Sequence, residues 1–309
     1  MSERKYYYSE VFDSIQGEGM FTGHWTLWLR FFLCNLQCNG FGQIDPTNPE
    51  TYELPFQDFD PKTVNRVEDL PVWEKGCDSS YTWSKKYKHL MANKTAKEIV
   101  QAIMDCASNE YNPEGKFKHP RSGQTAHMCF TGGEPLMRHG QNAFMEIMEE
   151  FKHRENIPSS ITFETNGTQE LTNDFVEYVT NKGKHNVHTF ISCSPKLWSV
   201  AGEKSEKAIK PHNVAQYDRV FKRCNDNNKP TGQLKFVLGS KDEQWKELDH
   251  VINQYRSVGL NWPVYIMPVG ATVEEQEEGA GKVAEMAFKR GYNVSGRLHC
   301  YLFGNAIGT

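Results

Sequence analysis

Strand-like and helix-like patterns alternate along most of the chain. Residues 6–12 and 26–33 are rich in aromatic and branched side chains and predict strands. Between them Ser14-Ile15-Gln16-Gly17-Glu18-Gly19 reads as a loop punctuated by glycine. Thr95-Ala96-Lys97-Glu98 is a capping box that opens a helix through about Cys106. Short apolar runs at 126–131, 161–165, 187–193, 233–238 and 264–269 predict further strands. Helical periodicity follows at about 136–153, from Thr172, at about 241–255 and at about 273–290.

Strands alternating with helices imply a parallel sheet built from right-handed βαβ units. About six units are too few to close an eight-fold barrel. The expected fold is α/β, a partial (βα)6-type barrel with outer helices, in a single domain spanning 1–309. In such folds the site lies at the C-terminal ends of the strands. Polar and glycine-rich clusters fall there: Cys34-Asn35, Thr131-Gly132-Gly133-Glu134, Glu164-Thr165-Asn166-Gly167 and Ser194-Pro195-Lys196.

Residues 39–76 break the pattern. They hold 5 of the 14 prolines, and 8 acidic residues against 3 basic ones. No helical period survives there, which predicts an irregular inserted loop on the surface, dispensable for the chemistry. Residues 196–210, with four Lys and two Glu, read as a solvated face or a mobile lid.

Composition narrows the class. A chain of 309 residues with 18 Phe, 13 Tyr and 7 Trp can bury a large core, which excludes global disorder. The formal net charge of -4 argues against coating nucleic acid or an anionic membrane. No apolar stretch is long enough to span a bilayer, and Met1 to Tyr6 lacks the apolar core of a secretory signal. The expected location is cytoplasmic.

Eight cysteines in a cytosolic chain are not expected to form a disulfide framework. Only Cys34 and Cys38 are close in sequence. Thiols at this spacing share a metal or cluster, or are two buried thiols; zinc lacks a matching second Cys/His pair. His185 and His188 flank a predicted strand and read as packing or surface histidines.

Several motifs then occur in order: Ile15-Gln16-Gly17-Glu18-Gly19, Leu29-Arg30, Cys34-Asn35-Leu36-x-Cys38, Cys77-Asp78-Ser79-x-Tyr81-x-Trp83, Thr131-Gly132-Gly133-Glu134-Pro135, Glu164-Thr165-Asn166-Gly167-Thr168, Ser194-Pro195-Lys196 and Leu298-His299-x-Tyr301-Leu302. This series resembles the 7-carboxy-7-deazaguanine synthase family of the radical SAM superfamily. The superfamily commonly spaces its cluster ligands Cys-x3-Cys-x2-Cys. Here that third position is Phe41, and the matching element begins at Cys77, so a long insertion separates the second and third ligands. Loop-closure cost grows only by about 0.6 kcal/mol per doubling of length, so such an excursion is tolerable if it leaves and re-enters at one place.

The resemblance implies a [4Fe–4S] cluster on Cys34, Cys38 and Cys77, with S-adenosyl-L-methionine on its open iron. It implies cofactor contacts at Gly133, Glu134, Glu164, Ser194 and Lys196, with Glu134 near the methionyl ammonium. It implies substrate contacts at Ile15, Gln16, Gly17, Glu18, Arg30, Thr131, His299 and Thr309, and Mg²⁺ on Ser79, where many members have Thr. No side chain is expected to act as a catalytic acid or base, because cluster and cofactor generate the radical. The implied reaction converts 6-carboxy-5,6,7,8-tetrahydropterin to 7-carboxy-7-deazaguanine with loss of ammonia. The implied partners are an electron donor such as flavodoxin or ferredoxin and a second copy of the chain, with no membrane or nucleic acid. Two other readings stay open: a different small radical SAM enzyme such as a glycyl-radical activase, or a zinc-binding module.

Overall fold

The apolar runs become strands because their neighbours and outer helices bury them from both sides. In a computed structural model, which describes residues 3–225, 229–304 and 306–308, nine strands form one sheet. They are β1 (Lys5–Ile15), β2 (Trp25–Phe31), β3 (Ala92–Thr95), β4 (His127–Gly132), β5 (Ser160–Thr165), β6 (His188–Cys193), β7 (Gly232–Leu238), β8 (Val264–Pro268) and β9 (Asn293–Val294). Their order is β3-β1-β2-β4-β5-β6-β7-β8-β9. β1 runs antiparallel to both its neighbours, and every pair from β2 to β9 is parallel.

Helices Ala96–Ala107, Arg138–His153, Asn173–Thr180, Pro211–Lys222, Asp242–Ser257 and Val273–Phe288 lie between or after successive parallel strands. This is the α/β, six-unit open barrel expected from the pattern. The first helix carries the expected capping box, with Thr95 and Glu98 satisfying each other's backbone N–H. Phe130, Phe144, Phe163 and Phe175 are fully buried between sheet and helices and pack ring against ring. His185 belongs to this core, buried against Phe144 and hydrogen-bonded to Thr189. No helix among the described residues is long and apolar enough to cross a membrane.

The glycine-punctuated loop does not sit at the strand tips with the other polar clusters. Ile15 pairs with Trp25, the first residue of β2, so the loop starts at the opposite end of the barrel. From there it crosses beneath the sheet. The Phe21 ring meets His127 and Phe190 near the starts of β4 and β6. Gly19 N–H donates to Ser295 Oγ and Met20 N–H to Gln233 Oε1. The loop is the floor of the barrel.

The inserted segment leaves and re-enters at one place. Gly76 N–H donates to the Phe41 carbonyl at 2.8 Å, and a Cβ on Gly42 would lie 2.5 Å from the Glu74 carbonyl. The segment is irregular as expected, yet it is not a bare surface excursion. Val64, Val67, Leu70 and Trp73 are buried at every third position, around short 3₁₀ turns, and cluster with Phe56, Tyr81 and Tyr87. All eight acidic residues remain exposed, Glu74 at the cavity lining.

Residues 196–210 are also not a solvated face. Leu197, Val200, Ala201, Ala208 and Ile209 are buried, and Ala201 and Ala208 pack on Leu36 and Cys38. The lysines lie between apolar anchors that their number obscured.

Candidate active site

β2 ends at Phe31, and the chain then turns sharply. Leu33 and Cys38 both adopt left-handed backbone, with φ of 89° and 54°. Glu203 fixes this turn, since its Oε1 accepts from Gln37 N–H at 2.6 Å and Cys38 N–H at 2.9 Å. Cys34, Cys38 and Cys77 thereby line one cavity of about 530 Å³, within the range of small-molecule sites. Burial pushes the Cys34 thiol up to about 11 and Cys77 up to about 12, and also raises Cys38 well above its usual range. None of the other five cysteines lines this cavity.

Among the described residues no three His, Cys, Asp or Glu side chains converge as the ligands of one ion would. Three free thiols that line one cavity and pack in one cluster with Leu36 suit a multi-iron cluster, where each thiolate binds a different iron. The residues present fit that group.

Gly133, Glu164, Ser194 and Lys196 share the cavity with the thiols. Gly133 is required by packing: a Cβ there would overlap the Leu33 carbonyl. Lys196 Nζ donates to Ser194 Oγ at 2.9 Å and stands over the Phe41 ring. Glu134 is placed differently from the expectation. It is fully buried and does not line the cavity. Its carboxylate accepts from Leu136 N–H, the Thr165 hydroxyl and Asn166 N–H, which ties the end of β4 to the end of β5. Burial nevertheless pushes its carboxyl up to about 7. Glu164 is also engaged within the protein, accepting from Gln16 Nε2 at 3.1 Å and Lys235 Nζ at 2.9 Å.

The far side of the cavity is a chain of charges. Glu18 rises from the floor between Lys235 Nζ at 2.6 Å and Arg297 Nε at 3.2 Å, with His299 Nε2 at 4.0 Å. Burial opposes its ionisation, but Lys235, Arg297 and His299 outweigh burial and hold the carboxyl below the usual range. Arg297 Nη2 continues to Asp78 Oδ2 at 3.1 Å. The Ser79 hydroxyl donates to Asp78 Oδ1 at 3.2 Å and accepts from Arg30 Nη1 at 3.3 Å. Arg30 Nε donates to Glu10 Oε1 at 2.6 Å, which also accepts from the Tyr81 hydroxyl.

Ile15, Gln16, Gly17, Thr131 and His299 line the same space, and a side chain on Gly17 would collide with the His299 ring. The expected contact at Thr309 lies outside the described residues. Phe12 and Trp28, cross-strand partners, stack at 3° between ring planes and form a flat wall. Trp73 and Trp83 add two more indoles to the lining.

No protein-family model matches the chain. Individual relatives do. The chain is 30% identical to the 7-carboxy-7-deazaguanine synthase of Hyperthermus butylicus, over 94% of its own length and 89% of that protein's. The chain belongs to the 7-carboxy-7-deazaguanine synthase family. It is 25% identical to the enzyme of that name from Rhodopirellula baltica, over 100% of this chain and 90% of that one. With the one from Pyrobaculum aerophilum it shares 23% over 97% and 95%. A crystal structure of QueE from Escherichia coli aligns with a TM-score of 0.48 at 17% identity, over 96% of this chain and 95% of that one.

As an enzyme of the 7-carboxy-7-deazaguanine synthase family, the chain carries site residues that its motifs did not mark. Lys235 lies mid-strand in Gln233-Leu234-Lys235-Phe236-Val237, only 4% exposed at its side chain. A lone lysine inside an apolar strand was the available signal. Arg297 stands two residues before His299. Glu10, on β1, is buried where the alternation of that strand allows a hydrophobe.

Proposed function

We propose that this chain converts 6-carboxy-5,6,7,8-tetrahydropterin to 7-carboxy-7-deazaguanine with loss of ammonia, in 7-deazaguanine biosynthesis. One observation carries the reading: three thiols and the Gln16, Glu18, Arg30 and His299 side chains converge on one cavity. Cys34, Cys38 and Cys77 would hold a [4Fe–4S] cluster and leave one iron for S-adenosyl-L-methionine. Loaded there, cluster and S-adenosyl-L-methionine would supply one-electron radical chemistry, given an electron from a donor such as flavodoxin or ferredoxin.

The remaining tasks belong to side chains. Lys196 and Ser194 offer a cation and a hydroxyl to the methionyl end of the cofactor. Arg30 is held along its Nε edge by Glu10 and at Nη1 by Ser79, and its Nη2 donors would orient a substrate carboxylate. Glu18, ionised between its cations, accepts from the N–H edge of a pterin, and Gln16 meets the same edge with an amide. The Phe12–Trp28 wall gives a planar ring a flat surface. Ser79 and Asp78 present hard oxygens suited to Mg²⁺, which keeps several waters and takes few protein ligands. A glycyl-radical activase must admit a polypeptide; here the inserted segment and residues 306–308 wall the cavity, which favours a small substrate.

The test is anaerobic turnover of reconstituted protein with carboxytetrahydropterin, S-adenosyl-L-methionine and dithionite, read by mass. Formation of 7-carboxy-7-deazaguanine is expected. Cleavage of S-adenosyl-L-methionine with the pterin unchanged would count against the substrate.

A further inference from the structure

The inserted segment buries apolar residues at every third position while leaving its acids exposed, so it presents an apolar face to the rest of the chain. Ile307 packs against its cluster of Phe56, Val67, Leu70 and Trp73. The two pieces line the cavity together, Val72, Trp73 and Glu74 from one, and Ala306, Ile307 and Gly308 from the other. At Gly308 a Cβ would stand 3.5 Å from Glu10 Oε2 and 3.9 Å from Glu68 Cγ.

Glu10 Oε2 is buried and has no hydrogen-bond partner among the described residues, while Oε1 holds Arg30 and Tyr81. Tyr81 itself belongs to the inserted segment's cluster. A contact path therefore runs from Ile307 through the cluster to Tyr81, Glu10 and Arg30. We propose that the inserted segment is the seat of segment 306–308, and that the two act as one unit that closes the Arg30 end of the cavity. The closing role rests on the substrate reading above; the seat does not.

The experiment is hydrogen–deuterium exchange on the full chain, read on peptides covering 55–73 and 298–308, with the affinity for 7-carboxy-7-deazaguanine measured alongside. Leu70→Ala weakens the seat and Ile307→Asp expels the segment, so a folding defect in the first leaves the second informative. Each variant is expected to speed exchange in the other partner's peptide, because coupling is reciprocal. Each should weaken product binding about tenfold, and the double variant no more than the weaker single, since both break one unit. Unchanged exchange in the partner peptide of Ile307→Asp overturns the seat. Coupled exchange with wild-type product affinity overturns the closing role. Should the wild type not bind this product at all, the substrate reading fails, and the exchange data still decide the seat.

Discussion

The Lys235 ammonium stands 2.6 Å from Glu18 Oε2 and 2.9 Å from Glu164 Oε2. One buried cation thus ties the floor loop to the end of β5. Such a group is retained only when its partners compensate its lost hydration. Lys235→Met leaves two carboxylates facing each other without their shared cation. It is expected to destabilise the protein by about 3–5 kcal/mol, the range for breaking a buried pair. Lys235→Arg keeps the charge and should recover part of that loss. Chemical denaturation of the three proteins checks the order; a Met variant as stable as wild type would refute the bracing role.

Glu134 makes a pH prediction of opposite sign to a surface carboxylate. Its carboxyl is pushed up to about 7 from 4.5 by burial, so the folded state favours the protonated form. A raised value contributes stability that is full below pH 4.5 and is lost as pH rises through about 7. Glu134→Gln removes this titration. The stability of wild type minus that of the variant should fall between pH 4.5 and about 7, then level off. Thermal unfolding of both proteins across pH 4 to 8, about the range that brackets the shift, reads this directly. A flat difference would mean that the three donors around Glu134 cancel the effect of burial on its carboxyl.

The cysteines divide by placement. Cys34, Cys38 and Cys77 line the cavity, whereas Cys129, Cys193 and Cys300 are packed away from it and Cys106 and Cys224 are half-buried elsewhere. Single Cys→Ala changes in the first group should each abolish most iron binding and the visible charge-transfer absorbance. Changes in the second group should leave both near wild type. Normal iron in Cys77→Ala would break the link across the inserted segment.

Ser79 touches Arg30 and Asp78 through one hydroxyl. Ser79→Thr keeps that oxygen and should be nearly neutral. Ser79→Ala should weaken the Mg²⁺ response of turnover and leave iron content alone. It also frees Arg30 on one side, so product affinity should fall by about three- to tenfold, the scale of one ordinary net hydrogen bond. Titrating turnover against Mg²⁺ separates the two effects. An unchanged Mg²⁺ response in the Ala variant would place the metal elsewhere.

Much of this molecule was readable before its structure. Period-2 and period-3.6 patterns place most strands and helices, and Cys34, Gly133, Ser194 and Lys196 fall just past strand ends, where local chemistry announces them. Three things were not readable, each for a physical reason. The helix Pro211–Lys222 hides its apolar face of Val214, Tyr217, Val220 and Phe221 among polar residues. The inserted segment follows a three-residue period, which neither a strand nor an α-helix template detects. The third is Glu134: its sequence context marks a strand end facing a cofactor, but only the register of β4 against β5 reveals that Thr165 and Asn166 already occupy its oxygens. Charges such as Lys235 and Glu10 become meaningful only when the fold brings their partners within reach.

The aromatic lining has an experimental consequence of its own. Trp28 on β2, and Trp73 and Trp83 at the inserted segment's cluster, are three of the seven tryptophans and line one cavity. Their emission therefore reports the contents of that cavity without any label. An iron–sulfur chromophore loaded between the cysteines would absorb in the range where indoles emit and dim all three by energy transfer. A planar ligand against the Phe12–Trp28 stack would act chiefly on Trp28. Removing one indole at a time by Trp→Phe change then turns the protein's own fluorescence into a map of which end of the cavity fills first.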